Sequence, residues 1–131
     1  MMTAWRILII GTEANRNLVK SAISHWATQP VWCSTLREAR DFLPDASLSL
    51  IFCEDTLPDG TYHDLLRTVG KPVKDRFVVI SSTPDLDEIY DEATELGAFD
   101  VIASPCSRSD VQWMVVRATQ DVRHAGSPAH R

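Results

Sequence analysis

The sequence has few cysteines, no long apolar run and no excess of basic charge. Its cysteines, Cys33, Cys53 and Cys106, are odd in number and widely spaced, and they match no disulfide or metal-binding pattern. We therefore expect reduced, buried thiols in a cytoplasmic protein. No stretch approaches the roughly 18 apolar residues of a membrane span, and the start, "MMTAWRILIIG", turns polar too early for a signal peptide.

The charge balance limits the classes of partner. The net charge is −5, which disfavours direct binding to nucleic acid or to an anionic membrane, because both need a basic face.

A length of 131 residues and an apolar fraction of 44% are typical of one globular domain with a substantial core.

Apolar runs of strand length alternate with longer polar segments that have helical spacing. This alternation predicts a parallel sheet with helices on both faces, and its third and fourth strands are apolar enough to be buried on both sides. The predicted strands are residues 6–10, 31–34, 48–53, 76–81 and 99–104, and the predicted helices are residues 13–26, 35–43, 61–69, 85–96 and 107–123.

Polar side chains follow the predicted strands where a functional crevice is expected. In an open α/β sheet that crevice lies at the carboxyl ends of the strands. A solvated loop with a Pro-Asp-Gly turn at 58–60 is the alternative interpretation of the acids after the third strand. The strand-end residues are Gly11, Thr12, Glu13, Glu54, Asp55, Ser81, Ser82, Ser104 and Pro105.

Four motifs in this order resemble those of response regulator receiver domains, over residues 5 to about 123. They are "ILIIGTE" at the first strand, "LIFCEDTLPDG" at the third, "VVISS" at the fourth and "LGAFDVIASP" at the fifth. The resemblance implies a single doubly wound, flavodoxin-like α/β domain over residues 1–124. It would contain five helices and a five-stranded parallel sheet of order 2-1-3-4-5. Residues 125–131 would be a flexible tail or the start of a linker.

The resemblance also implies a phosphorylation site, and most of its residues are replaced here. Receivers accept a phosphoryl group from a histidine kinase on an aspartate. Two acids hold Mg²⁺, and a hydroxyl and a lysine contact the phosphoryl oxygens. The matching positions are Gly11 and Thr12 for the acids, with Glu13 the neighbouring acid, Glu54 for the aspartate, Ser81 for the hydroxyl and Ser104 for the lysine.

This replacement predicts an atypical receiver that works without phosphotransfer. Gly11 and Thr12 offer no carboxylate, so we expect weak or absent Mg²⁺ binding and no metal site. Phosphoryl transfer depends on positive charge around the transferred group, so we also expect no catalytic residue. An active phosphoacceptor that uses Asp55 or Glu54 is the alternative. A nucleotide- or flavin-binding enzyme fits less well, because no glycine-rich phosphate loop follows the first strand.

The last helix carries a second apolar stripe, Trp113 and Val116, which predicts either partial burial within the chain or a partner-facing patch. In receivers this region belongs to the output face, and the aromatic switch position there falls on Val101. The resemblance implies a histidine kinase or an output protein as partner, with a homodimer through the last helix as another possibility. It also implies a cis Ser104–Pro105 peptide. Glu54 could either mimic a phosphorylated aspartate permanently or leave a static docking module, and we favour the latter.

Overall fold

The computed structural model describes residues 5–24 and 26–123 of the chain, so the predicted tail at 125–131 lies outside the described residues. The strands are β1 (Trp5–Ile10), β2 (Thr28–Cys33), β3 (Leu48–Glu54), β4 (Thr56–Leu57), β5 (Gly60–Thr61), β6 (Phe77–Ser81) and β7 (Asp100–Ala103). The helices are α1 (Glu13–Ala22), α2 (Leu36–Phe42), α3 (Tyr62–Leu66), α4 (Lys71–Lys74), α5 (Leu86–Glu95) and α6 (Arg108–Arg123).

The main sheet has the order β2-β1-β3-β6-β7, and all its pairings are parallel. This is the predicted 2-1-3-4-5 order of a flavodoxin-like fold, and the prediction is confirmed. β4 and β5 form a separate antiparallel hairpin directly after β3. The described residues contain six helices instead of the predicted five, because the segment after α3 forms the single-turn helix α4 around Pro72. A four-residue helix is too short to produce a helical periodicity in the sequence.

The sheet is covered by an apolar layer on each face. α2, α3 and α5 pack on one face against residues such as Ile10, Cys53 and Val79. α1 and α6 pack on the other face, where Phe52 and Ile80 lie. β3 is almost entirely buried and β6 is fully buried, as the sequence predicts. Successive strand residues point to opposite faces, so the residue that follows Cys53 belongs to the α1–α6 side.

Several helix ends follow the sequence signals. Thr12 is the N-cap residue of α1 and Thr35 that of α2, with each side chain accepting a backbone N–H bond. Gly97 follows α5 with a φ of 101°, a left-handed conformation that glycine adopts without strain. The Asp59 carboxylate accepts bonds from Leu36 N at 2.8 Å and Arg37 N at 3.1 Å, so it ties the β4–β5 hairpin to α2.

Two further expectations concern the cysteines and the membrane. Cys33, Cys53 and Cys106 are all free and buried, which confirms the prediction of unpaired, buried thiols. Within residues 5–24 and 26–123, none of the helices combines the length and the apolar character that crossing a bilayer requires.

Candidate functional site

The register of the sheet brings the strand-end residues together at one edge. Ile10 of β1 pairs with Cys53 of β3, so the residues that follow, Gly11 and Glu54, are neighbours. Glu54 pairs in turn with Ile80 of β6. The Ser104 amide donates to the Ser81 carbonyl at 2.8 Å, which brings the end of β7 to the same edge. The site is therefore assembled from four parallel strands and the start of α1.

The Glu54 carboxylate points toward the N-terminus of α1. Its Oε2 atom accepts three hydrogen bonds, from Thr12 N at 2.6 Å, Thr12 Oγ1 at 2.7 Å and Asn15 Nδ2 at 2.9 Å. A negative charge at a helix N-terminus is favourable, because the first backbone N–H groups have no partner within the helix. Bonds to an ionised acceptor are also stronger than neutral ones.

Gly11 makes this arrangement possible. A Cβ atom built on Gly11 would lie 2.3 Å from Glu54 Oε2, 2.5 Å from Cδ and 2.6 Å from Cγ. These separations are far below van der Waals contact, so a side chain at position 11 and this position of Glu54 exclude each other. Gly11 and Glu54, which the sequence analysis predicts at an acid position and at the acceptor position, are thus sterically matched to each other.

Asn15 is a site residue that the sequence reasoning missed. Its side chain is 4% exposed. Besides the bond to Glu54, Nδ2 donates to Ser104 Oγ at 3.2 Å, and Oδ1 accepts from Cys106 N at 3.2 Å. Asn15 therefore connects the end of β3, helix α1 and the segment between β7 and α6. The available signal was its spacing, because it lies four residues before Val19 on the inward face of α1.

Asp55 points to the other side of the site. Its carboxylate accepts from Ser82 N at 3.1 Å and from Ser82 Oγ at 3.2 Å, at the end of β6. Ser81, the hydroxyl position, is 1% exposed, and its Oγ accepts from Thr83 N at 3.2 Å. Among the described residues, no hydrogen bond joins Glu54 to Ser81.

Glu13 does not complete an acidic cluster. Its side chain is 75% exposed and pairs with Arg16 at 3.2 Å, and the Arg16 guanidinium lies 4.4 Å above the ring of Trp32. Mg²⁺ needs oxygen ligands that offer lone pairs, whereas Thr12 N and Asn15 Nδ2 direct hydrogens at Glu54 Oε2. The described part of the chain contains no group of three His, Cys, Asp or Glu residues placed to hold a metal. The N–H groups around Glu54 Oε2 therefore do not form a ligand set for Mg²⁺.

Two features at the rim involve Pro105 and the nearby thiols. The Ser104–Pro105 peptide is cis, as the resemblance implies. Burial and, next, the Glu54 charge raise the pKa of the Cys106 thiol to about 12. Burial also raises the pKa of Cys53 well above its usual range. Both thiols are therefore protonated near neutral pH and are poor nucleophiles.

The residues predicted for the output face lie on β7 and α6. Val101 is half-buried against the α2–α3–α5 layer. Trp113 is 56% exposed and Val116 is 36% exposed on α6, so the stripe they form is open to solvent. Leu86 and Tyr90 of α5 are exposed as well.

Tyr62, the first residue of α3, is buried. Its hydroxyl donates to Glu92 Oε1 at 2.7 Å, and His63 Nε2 contacts the same oxygen at 2.7 Å. The Tyr62 hydroxyl and then His63 hold the pKa of Glu92 below its usual value. This cluster links α3 to α5.

No family model matches the sequence, and no curated protein matches it significantly. Solved structures, in contrast, match nearly the whole chain. A CheY-like receiver domain protein from Methanospirillum hungatei has a TM-score of 0.78 at 17% identity, covering 94% of this chain and 100% of that one. The chemotaxis response regulator CheY4 of Vibrio cholerae has a TM-score of 0.76 at 16% identity, covering 88% and 99%.

NtrX from Brucella abortus matches with a TM-score of 0.77 at 23% identity, and the match covers 92% of this chain but 28% of the NtrX chain. These identities are low, but TM-scores of 0.76 and 0.78 over 88% and 94% of this chain indicate the same fold. The chain has the fold of response regulator receiver domains.

Proposed function

We propose that this chain is an atypical receiver-type signalling domain, without enzymatic activity, that binds a protein partner independently of phosphorylation. One observation carries the proposal: the Glu54 carboxylate is bonded to Thr12 and Asn15 and fills the space beside Gly11. One oxygen of the residue at the acceptor position is thus engaged in a hydrogen-bond network, which supports a role other than phosphoryl acceptance.

The electrostatics of the site support the same proposal. An attacking carboxylate needs positive charge around the equatorial phosphoryl oxygens to lower the barrier. The lysine position holds Ser104, whose Oγ accepts a bond from Asn15. Gly11 and Thr12 provide no carboxylate for Mg²⁺, and we expect its binding to be weak or absent.

The proposed partner surface is the edge formed by α5, β7 and α6. Its exposed apolar side chains include Trp113 and Val116 on α6, and Val101 lies in the strand between the helices. Large exposed aromatic residues are common at protein interfaces. Candidate partners are a histidine kinase, an output protein or domain, and a second copy of this chain. We propose a cytoplasmic location and no direct contact with nucleic acid.

Incubation with acetyl phosphate and Mg²⁺, followed by intact mass spectrometry, tests the absence of phosphotransfer. We expect no mass gain, while a receiver domain with the complete acid pair, aspartate and lysine gains one phosphoryl group under the same conditions. A gain that is lost in Asp55→Ala or Glu54→Ala would contradict the proposal and identify the acceptor of the alternative function.

Substitution of the exposed stripe tests the interaction surface. Trp113→Ala and Val116→Ala are compared with Leu18→Ala on α1, because Leu18 has the same 36% exposure as Val116. Binding to a histidine kinase or output domain, and self-association in sedimentation velocity, should weaken in the α6 variants only. Glu54→Gln should leave partner binding unchanged if the module is static. Equal binding by all variants would locate the interface elsewhere.

A further inference from the structure

The replaced residues of the site form one connected network and do not act as separate losses. Glu54 accepts bonds from Thr12 and Asn15 across 42 and 39 positions of the sequence. Asn15 continues to Ser104 and Cys106, which lie 89 and 91 positions away. Each hydrogen bond therefore joins segments that the fold brings together from distant parts of the chain.

The polar capacity of Asn15 is well used in this network. A side-chain amide has two N–H donors and one carbonyl acceptor. The two Nδ2 bonds go to Glu54 Oε2 and Ser104 Oγ, and Oδ1 accepts from Cys106 N. Because Asn15 is buried, the loss of any partner leaves a polar group without a hydrogen bond. Other arrangements of these side chains therefore have a higher free energy.

The direction of the Glu54 charge sets what the network can do. All three bonds to Oε2 come from the α1 side, while Ser81 on β6 bonds to Thr83. A carboxylate that imitated a phosphorylated aspartate would need to engage the β6 hydroxyl. In this geometry its charge is instead compensated by the first turn of α1.

We propose that Glu54, Thr12, Asn15, Ser104 and Cys106 form a clamp in which Glu54 is a built-in anionic ligand. The clamp holds the end of β3, the start of α1 and the segment between β7 and α6 in one arrangement. This inference rests on the proposed function, because Glu54 can fix the conformation of the site only if the site accepts no phosphoryl group. The domain then has no second state for phosphate or Mg²⁺ to select, since a ligand shifts only an equilibrium for which it has differential affinity.

The length of the Glu54 side chain distinguishes the proposed clamp from an effect of negative charge alone. Glu54→Asp keeps the charge but shortens the side chain by one methylene, about 1.5 Å from covalent geometry. Glu54→Gln keeps the length and an acceptor oxygen but removes the charge. Glu13→Asp is the matched control, since it makes the same change at an exposed acid of the same site edge.

Amide hydrogen exchange measured by NMR tests the clamp in the full chain. In Glu54→Asp we expect the Thr12 and Cys106 amides to exchange at least about tenfold faster, with Glu13→Asp unchanged. If the Thr12 and Cys106 amides also exchange faster in Glu54→Gln, this would support the clamp and would show that the charge of Glu54 contributes. Acceleration at Thr12 alone, or at neither amide, would overturn it.

The same samples separate this inference from the proposed function. Addition of Mg²⁺ and acetyl phosphate to the wild-type chain should leave both amides unchanged. A phosphoryl mass gain would overturn the proposed function, whereas the exchange of the Glu54→Asp amides tests the clamp independently of it.

Discussion

Glu54 and Asp55 are adjacent acids at the end of β3, yet they belong to different parts of the molecule. Glu54 accepts three bonds from α1 and is linked through Asn15 to the segment after β7. The Asp55 carboxylate accepts bonds from one residue, Ser82, at an exposed turn. Strand alternation sends the two side chains in opposite directions. The comparison teaches that a carboxylate's role at this edge follows from the element it faces.

The largest expected effect comes from placing a side chain against Glu54. Gly11→Ala introduces a Cβ at 2.3 Å from Oε2, so the carboxylate must leave its three donors. We expect a loss of about 2–3 kcal/mol in the free energy of unfolding, measured by urea denaturation.

A double-mutant cycle gives the control for this prediction. Gly11 has a φ of 157°, so the backbone strain of an alanine remains in a Glu54→Ala background, but the clash is absent there and Gly11→Ala should cost less. An equal cost in both backgrounds would show that the backbone at position 11, and not Glu54, determines the effect.

Removal of the bridge between segments should have the next largest effect. Asn15→Ala removes one hydrogen-bond partner each from Glu54, Ser104 and Cys106 N. We expect a loss of roughly 2 kcal/mol in the free energy of unfolding, measured by chemical denaturation. Asn17→Ala on the same helix is the control. Asn17 is exposed and accepts one bond from its neighbour Arg16, so its loss should stay within about 0.5 kcal/mol. Similar losses in both variants would contradict the bridging role.

The smallest effect is expected on the Asp55 side. Ser82→Ala removes an exposed hydroxyl that donates to Asp55 but keeps the backbone bond from Ser82 N. The cost should be about 0.5 kcal/mol in the same denaturation experiment. A loss as large as that of Asn15→Ala would remove the contrast between the two acids.

Much of the fold follows from local patterns in the sequence. The apolar runs predict all five strands of the main sheet, and capping residues such as Thr35 predict helix starts. β2 begins at Thr28, earlier than the predicted 31–34, because Pro30 and the polar residues before it resemble a loop. An edge strand tolerates proline, since one side of it makes no ladder bonds.

Less of the site follows from the sequence. Strand ends place Glu54 and Gly11 at the functional edge, but only the register makes them neighbours. The role of Asn15 depends on partners about 90 positions away, and no local pattern reports such distances. The direction of the Glu54 side chain, which decides between a phosphate mimic and a clamp, is likewise a property of the tertiary structure.

The fit between Gly11 and Glu54 also restricts how this chain could change over generations. An aspartate introduced at position 11 would collide with Glu54. A shortening of Glu54 to aspartate would withdraw the carboxylate from Thr12 and Asn15. Either of these two changes made alone should therefore destabilise the site. Because the two positions are sterically coupled, we expect descendants of this sequence to keep both residues or to exchange both.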